Sequence, residues 1–227
     1  MMARGVKKMV YYLGSTTTLA HYANTKLLDG DPHKIEVANT TPDPGFDLNT
    51  ASTYPANQGR PIRTENVPTR IEWQENAPVA DVLTEHGMIV VPERFREIVE
   101  RFEPDVHQFL PVAYVDRKGD VLAQRYYFIA CNRLDSVDRK HSTMILFKGR
   151  RWSTALVVQR IDPAQIPSDF DVNAKPKIVF NNAQIGGKHA WSDMFLPLVA
   201  PYLSDALAEA IIEENFTGIA ISKGEAV

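Results

Sequence analysis

The chain has 227 residues, of which 44% are hydrophobic and 23% are charged, a balance typical of a globular protein with a buried core. The 25 lysines and arginines against 28 acidic residues give a net charge of -3, which disfavours a general nucleic-acid binder. A single cysteine, Cys131, excludes an intrachain disulfide and a multi-cysteine zinc site and fits a reducing, cytoplasmic compartment. No apolar run reaches the roughly 18 residues of a membrane-spanning helix, so no membrane association is expected.

The N-terminal part combines one short strand with a long irregular segment. Residues 9–13 are apolar and end at a Gly-Ser pair, which favours a buried strand over the hydrophobic region of a secretory signal. Residues 29–69 are rich in Pro, Thr, Asn, Asp and Gly and show no sustained helical or strand period. We expect this segment to wrap over the surface, and a mobile contact loop is the alternative. Its candidate apolar anchors are Phe46, Leu48 and Tyr54.

The pattern sharpens after residue 78, where the first helix is predicted. Pro92 suits the first turn of a helix. Apolar side chains then recur at helical spacing over residues 92–102, with charged residues between them, which predicts an amphipathic helix that ends before Pro104. The apolar positions are Phe95, Ile98, Val99 and Phe102.

Several strands and a second helix follow. Two strand-like segments, 106–116 and 120–132, flank a turn in which Gly119 supplies a positive φ, so we predict a β-hairpin. Further strands are expected within 142–149, 154–160 and 176–181. Ser204 can cap a helix whose apolar face carries Leu207, Ala208, Ile211 and Ile212, and residues 219–221 are expected to return as an edge strand before a frayed tail.

These elements predict the α+β class, with a largely antiparallel sheet and two amphipathic helices. Residues 1–77 are predicted to form the N-terminal strand and wrapping segment. Residues 78–227 are predicted to form the α+β body, and both parts are expected to belong to one structural unit.

No catalytic or cofactor motif stands out. The six histidines lack the spacing of metal ligands, so neither a metal nor another cofactor is expected. Cys131 could act as a nucleophile if His107 or His141 approached it, but its apolar surroundings favour a small buried side chain. The glycines of residues 185–189 could cradle a phosphate, although a turn that joins two elements is favoured because the P-loop spacing is missing.

The second helix carries an acidic stripe. Asp205, Glu209 and Glu213 recur at i+4 spacing, and no lysine or arginine lies between residues 204 and 222. Like charges at this spacing cost a helix a few tenths of a kcal/mol per pair, which a basic partner could offset. A solvated acidic face without a partner is the alternative.

Four segments, in this order, resemble the immunity protein 11 family of bacterial polymorphic toxin systems. They are PERFREIVERFEPDVHQFLPV (92–112), RYYFIACNRLDSVD (125–138), IGGKHAWSD (185–193) and LSDALAEAIIEENFTGI (203–219). The resemblance spans about residues 78–221, and the YYLGS strand near the N-terminus also fits. Residues 29–69 contain no segment that matches.

The resemblance implies a cytoplasmic antitoxin without enzyme activity that binds the toxin domain encoded by a neighbouring gene, in competition between bacteria. Asp205, Glu209 and Glu213 are then candidate toxin contacts, and a basic nuclease is one candidate toxin. Asp135, Asp138 and Trp191 are interpreted as fold determinants rather than contacts. An enzyme with an unrecognised hydrolytic site and a nonenzymatic scaffold outside toxin systems remain alternatives, and the oligomeric state is open.

Overall fold

The computed structural model describes residues 9–16, 23–43, 54–147, 151–153, 166, 168, 170–171, 173–196 and 201–227. Within these residues the chain forms two six-stranded sheets, a two-stranded ribbon and three helices, which confirms the α+β class. The predicted strands are therefore divided between two sheets.

Sheet I unites both ends of the described chain. Its spatial order is β11-β14-β1-β13-β12-β8, with β1 paired antiparallel to β13 on one side and to β14 on the other. The strands are β1 (Met9–Ser15), β8 (Arg133–Leu134), β11 (Val179–Phe180), β12 (Ala190–Asp193), β13 (Tyr202–Ser204) and β14 (Ile219–Ala226).

Sheet II is built around the predicted hairpin. Its order is β2-β3-β6-β7-β5-β4, and all neighbours are antiparallel except β3 and β6. Gly119, at φ 91°, turns β6 into β7 as expected. The strands are β2 (Thr25–Leu27), β3 (Arg70–Trp73), β4 (Leu83–Glu85), β5 (Met88–Val91), β6 (Gln108–Val115) and β7 (Val121–Ile129).

The helices join the two sheets. Helix α1 (Glu93–Phe102) begins after Pro92 as predicted, α2 (Asn182–Ile185) is a single turn, and α3 (Asp205–Ile212) follows β13 directly. Buried side chains of α1 and α3 share one core with residues of β1 and β13 from sheet I and of β5 and β7 from sheet II. This shared core fixes α3 against both sheets, and the side of α3 that points away from the core stays accessible.

One prediction about the C-terminal strands needs correction. Strand β14 is not an edge strand with a frayed tail, because it runs to Ala226 and pairs with both β1 and β11. The ribbon consists of β9 (Ile145–Phe147), which lies within the predicted segment 142–149, and β10 (Arg151–Ser153). The predicted strand over 154–160 lies outside the described residues.

Within its described residues, the irregular segment is held by buried side chains that were not predicted as anchors. Tyr54 is 46% exposed, and Phe46 and Leu48 lie outside the described residues. Four buried apolar side chains of this segment pack into one core cluster with residues of sheet II: Ile35, Ala56, Ile62 and Val67. Among the described residues, no helix is long and apolar enough to cross a membrane.

Candidate partner-binding face

The start of α3 is fixed by a side-chain cap. The Ser204 hydroxyl accepts a hydrogen bond from the Leu207 amide at 3.3 Å and contacts His189 Nδ1 at 2.8 Å. Leu207, Ala208 and Ile211 are fully buried, as their periodicity predicts. Because the face of α3 that carries these three residues is buried in the core, the acidic residues lie on the side of α3 that points away from the core.

The acidic stripe has this orientation. Glu209 and Glu213 are exposed and Asp205 is half-buried. Across the part of the chain that the structure describes, none of the three carboxylates forms an ion pair, whereas the adjoining Glu214 accepts a hydrogen bond from Arg94 at 2.9 Å. The stripe is therefore an uncompensated negative surface, and Glu214 belongs to the contact between α3 and α1.

An apolar groove lies beside the stripe. Its volume is about 370 Å³, and β1, the α2–β12 connection and α3 form its walls. Asp205 and Glu209 stand at its edge with Lys188 and His189, while the apolar lining comes from Met9, Ile185, Trp191 and Ala206. An apolar groove with a charged margin matches the anatomy of protein interfaces, in which apolar anchors are surrounded by polar groups.

The glycine segment beside this groove forms a turn. Asn181 caps α2 by accepting from the Ala183 and Gln184 amides, and Gly186 ends it in the left-handed region at φ 62°. The chain then enters β12, where the Trp191 indole donates to Ser136 at 3.0 Å inside the core. This geometry agrees with the interpretation of residues 185–189 as a connecting turn and of Trp191 as a fold determinant.

The two aspartates proposed as fold determinants have different roles. Asp138 accepts hydrogen bonds from the Lys140 and His141 amides, as expected for a turn residue. Asp135 instead pairs with Arg139 at 2.6 Å.

A buried polar cluster, absent from the sequence-based predictions, connects α1 with both sheets. The Glu103 carboxylate accepts from His107 Nε2 at 2.9 Å, from the Asn132 amide group at 2.9 Å and from the Ala190 N–H at 2.8 Å. Burial alone would raise the pKa of Glu103, but these hydrogen bonds outweigh it, so the pKa is lowered. We call these residues the Glu103 cluster, and its full set of partners marks it as structural.

This cluster also determines the surroundings of Cys131. His107 Nδ1 accepts from the Cys131 backbone N–H at 3.1 Å, so the imidazole faces the main chain and not the thiol. The thiol contacts the Ile129 carbonyl oxygen at 3.3 Å, and burial raises the pKa of Cys131 to about 11. His141 is occupied by Asp138 at 2.9 Å. The raised pKa and the orientation of His107 toward the main chain disfavour a thiolate nucleophile at Cys131 near neutral pH.

Among the residues that the structure describes, the histidines and carboxylates do not assemble into a metal centre. Within the described ranges, no group of three His, Cys, Asp or Glu side chains is placed to hold an ion. The feature of this region that can serve recognition is thus the α3 stripe with its adjacent groove.

Comparison with known proteins identifies the family. The chain matches the model of an immunity protein family (Imm11) over residues 16–226, which includes the irregular segment where the sequence analysis found no match. A search of curated proteins finds no match. Because the family match covers nearly the whole chain, this protein belongs to the Imm11 immunity protein family.

Proposed function

We propose that this protein neutralises a cognate toxin domain by forming a stoichiometric complex with it in the cytoplasm. The observation that carries the proposal is the acidic α3 stripe beside an apolar groove, on a chain of an immunity protein family. A specific interface buries about 800 Å² on each partner, which a domain of this size can provide.

The acidic stripe favours a basic partner. Opposite charges speed association and fix the orientation of the two proteins, while the apolar groove supplies contact area for an anchoring side chain. A basic nuclease fits this chemistry and is the toxin class that we propose. Residues 1–77 and 78–227 are proposed to bind as one unit, since β1 lies between β13 and β14.

Binding is favoured over enzymatic detoxification. A hydrolytic site built on Cys131 lacks support, because the thiol is protonated and its histidine neighbour is turned to the backbone. The toxin would therefore be inactivated by occlusion and not by chemical modification.

Coexpression tests the proposal. This protein is produced together with the product of the neighbouring gene, and both growth rescue and copurification are scored. Rescue accompanied by a stable complex is the expected result. Rescue without a complex would indicate that this protein is an enzyme that reverses the damage done by the toxin. If the neighbouring protein is not toxic, the proposed partner is wrong.

Charge reversal tests the face itself. The double substitution Asp205→Lys with Glu209→Lys should weaken toxin binding at least about tenfold, because it places positive charge against a basic partner. The matched control, Glu65→Lys with Asp120→Lys, changes the total charge equally at exposed positions on sheet II loops. Equal loss of affinity in both variants would assign the effect to net charge and remove the α3 face from the interface.

A further inference from the structure

A second cavity opens where the β4–β5 turn meets the irregular segment. It has a volume of about 390 Å³, within the range of small-ligand sites, and it shares no lining residue with the groove beside α3. Its lining includes Thr25, His33, Tyr54, Glu85 and His86. Glu85 is the only carboxylate among the lining residues, so the cavity combines aromatic and imidazole walls with one acidic group.

Glu85 is buried without strong hydrogen bonds. The residue is 6% exposed, and among the described residues its oxygens accept only from the Tyr114 and Thr25 hydroxyls, each at the long distance of 3.3 Å. A carboxylate has about four acceptor sites and strong donors approach it to 2.7–2.9 Å. This group therefore retains unused acceptor capacity at a cavity wall.

The turn beside Glu85 is held in an uncommon backbone conformation. His86 and Gly87 connect β4 to β5 with φ values of 48° and 79°, both in the left-handed region. Two-residue hairpins of this type favour Asn-Gly or Asp-Gly, so histidine at the first position is a departure that places an imidazole in the cavity wall. A second polar group, the buried Tyr127 hydroxyl, has no hydrogen-bond partner among the described residues.

We propose that this cavity, the Glu85 pocket, binds an alkylguanidinium or alkylammonium group through the Glu85 carboxylate. A cation of this kind brings several N–H donors, which match the open acceptor sites of Glu85, and its alkyl stem suits the Tyr54 side of the cavity. The chemistry is shared by a free amine and by a basic side chain of another protein. The inference goes beyond toxin neutralisation and does not depend on it.

The charges around the pocket give the binding a defined pH dependence. Burial raises the pKa of Glu85 to about 7, against weaker lowering by Tyr114 and Thr25. Burial and the nearby His33 lower the pKa of His86, and the tyrosine hydroxyls of Tyr114 and Tyr127 stay neutral because burial raises their pKa. The pocket is therefore negative above neutral pH, while protonation of Glu85 removes that charge at acidic pH.

Titration of the full chain with n-butylguanidinium tests the proposal, followed by the NMR amide signals of His86 and Gly87. Dissociation constants in the millimolar range are expected at pH 8. Because only the ionised fraction of Glu85 binds, affinity should be about 30-fold weaker at pH 5.5. The variant Glu85→Gln should lose at least about tenfold in affinity at pH 8, as expected for a lost charge-assisted hydrogen bond.

Two capped peptides distinguish the sources of the cation. Acetyl-Gly-Arg-Gly-amide that binds as well as n-butylguanidinium would identify a basic protein side chain as an admissible occupant, whereas binding of n-butylguanidinium alone would assign the pocket to a free small cation. Both results support the proposal. The peptide with citrulline in place of arginine is the neutral control. If the citrulline peptide bound as tightly as the arginine peptide, the proposal would be overturned.

A second experiment uses the wild-type protein, so its result does not depend on how the Glu85→Gln variant folds. The carboxyl carbon of Glu85 is followed by NMR through a pH titration, with and without saturating n-butylguanidinium. The cation should move the midpoint below 7, since it binds the ionised form. An unchanged midpoint, or unperturbed His86 signals at the highest probe concentration, would refute cation binding.

Discussion

Two buried glutamates of this protein have opposite environments. Glu103 and Glu85 are each 6% exposed, so solvent exposure does not distinguish them. Glu103 accepts from three N–H donors at 2.8–2.9 Å, whereas Glu85 has two hydroxyl contacts at 3.3 Å. The pKa of Glu103 is accordingly lowered and that of Glu85 is raised to about 7.

The difference shows how strongly N–H donors can lower the pKa of a carboxylate that burial alone would raise, as burial does for Glu85. The Glu103 cluster joins the end of α1 to β6, β7 and β12, and its acceptor atoms are occupied within the protein. Glu85 stands at a cavity with acceptor capacity left over. The first is expected to stabilise the fold, and the second to destabilise it when ionised.

The largest expected effect follows from Glu103→Ala. The substitution leaves His107, Asn132 and the Ala190 N–H with unpartnered buried donors, each of which costs about 1–3 kcal/mol. We expect the free energy of unfolding to fall by about 4 kcal/mol in urea denaturation at pH 7. Glu97→Ala on the exposed side of α1 is the control, with a change within about 0.5 kcal/mol. A similar small change for Glu103→Ala would break the comparison.

Glu85→Gln should raise the free energy of unfolding, in contrast to Glu103→Ala, and the size of the increase should depend on pH. Folding raises the pKa of Glu85 from its ordinary 4.5 to about 7, so the folded state favours the protonated form. The contribution of Glu85 to the stability of the wild type is therefore most favourable below pH 4.5, falls between pH 4.5 and 7, and stays reduced above. The variant lacks this loss, and at pH 8 it should be more stable by up to about 3 kcal/mol.

Chemical denaturation at several pH values measures this difference. The two proteins should agree near pH 4.5 and diverge as the pH rises. Parallel stability curves for wild type and Glu85→Gln would mean that the carboxyl is not perturbed by folding.

His107→Phe sharpens the account of the Glu103 cluster. The substitution retains an aromatic ring for the edge contact with Phe128 but removes the donor to Glu103 and the acceptor of the Cys131 N–H. Thermal and urea unfolding should report a loss of about 2 kcal/mol. His141→Phe, at an exposed position beside Asp138, is the control for adding an aromatic residue. Equal losses would show that the buried hydrogen bonds of His107 contribute little.

The smallest effect is expected for His86→Asn. Asparagine suits the first position of this left-handed turn better than histidine, so stability should rise by about 0.5 kcal/mol. Urea denaturation at pH 8 checks the value. A loss of more than about 1 kcal/mol would indicate that His86 makes a stabilising contact that its turn geometry does not reveal.

Local patterns in the sequence predicted the elements that depend on neighbouring residues. The amphipathic period of residues 92–102, the Gly119 turn and the Ser204 cap each specify a helix or hairpin within a few residues. The pairing of β14 with β1 joins residues more than 200 positions apart, and no local signal encodes it. The edge-strand prediction was wrong for this reason.

The sites follow the same distinction. The α3 stripe could be read from i+4 spacing, whereas the Glu103 cluster brings Asn132 and the Ala190 N–H, both distant in sequence, to the end of α1. Glu85 likewise gave no signal, since its burial depends on β2, β6 and the irregular segment packing around it. The local sequence signal for the β4–β5 turn is the glycine of the His86-Gly87 pair.

Titrating the activity of the purified neighbouring toxin domain with this protein tests neutralisation by binding most directly. Activity should fall linearly and reach zero at one equivalent, as tight one-to-one occlusion requires. Substoichiometric amounts that abolish the activity, or a large excess that leaves it intact, would contradict the account.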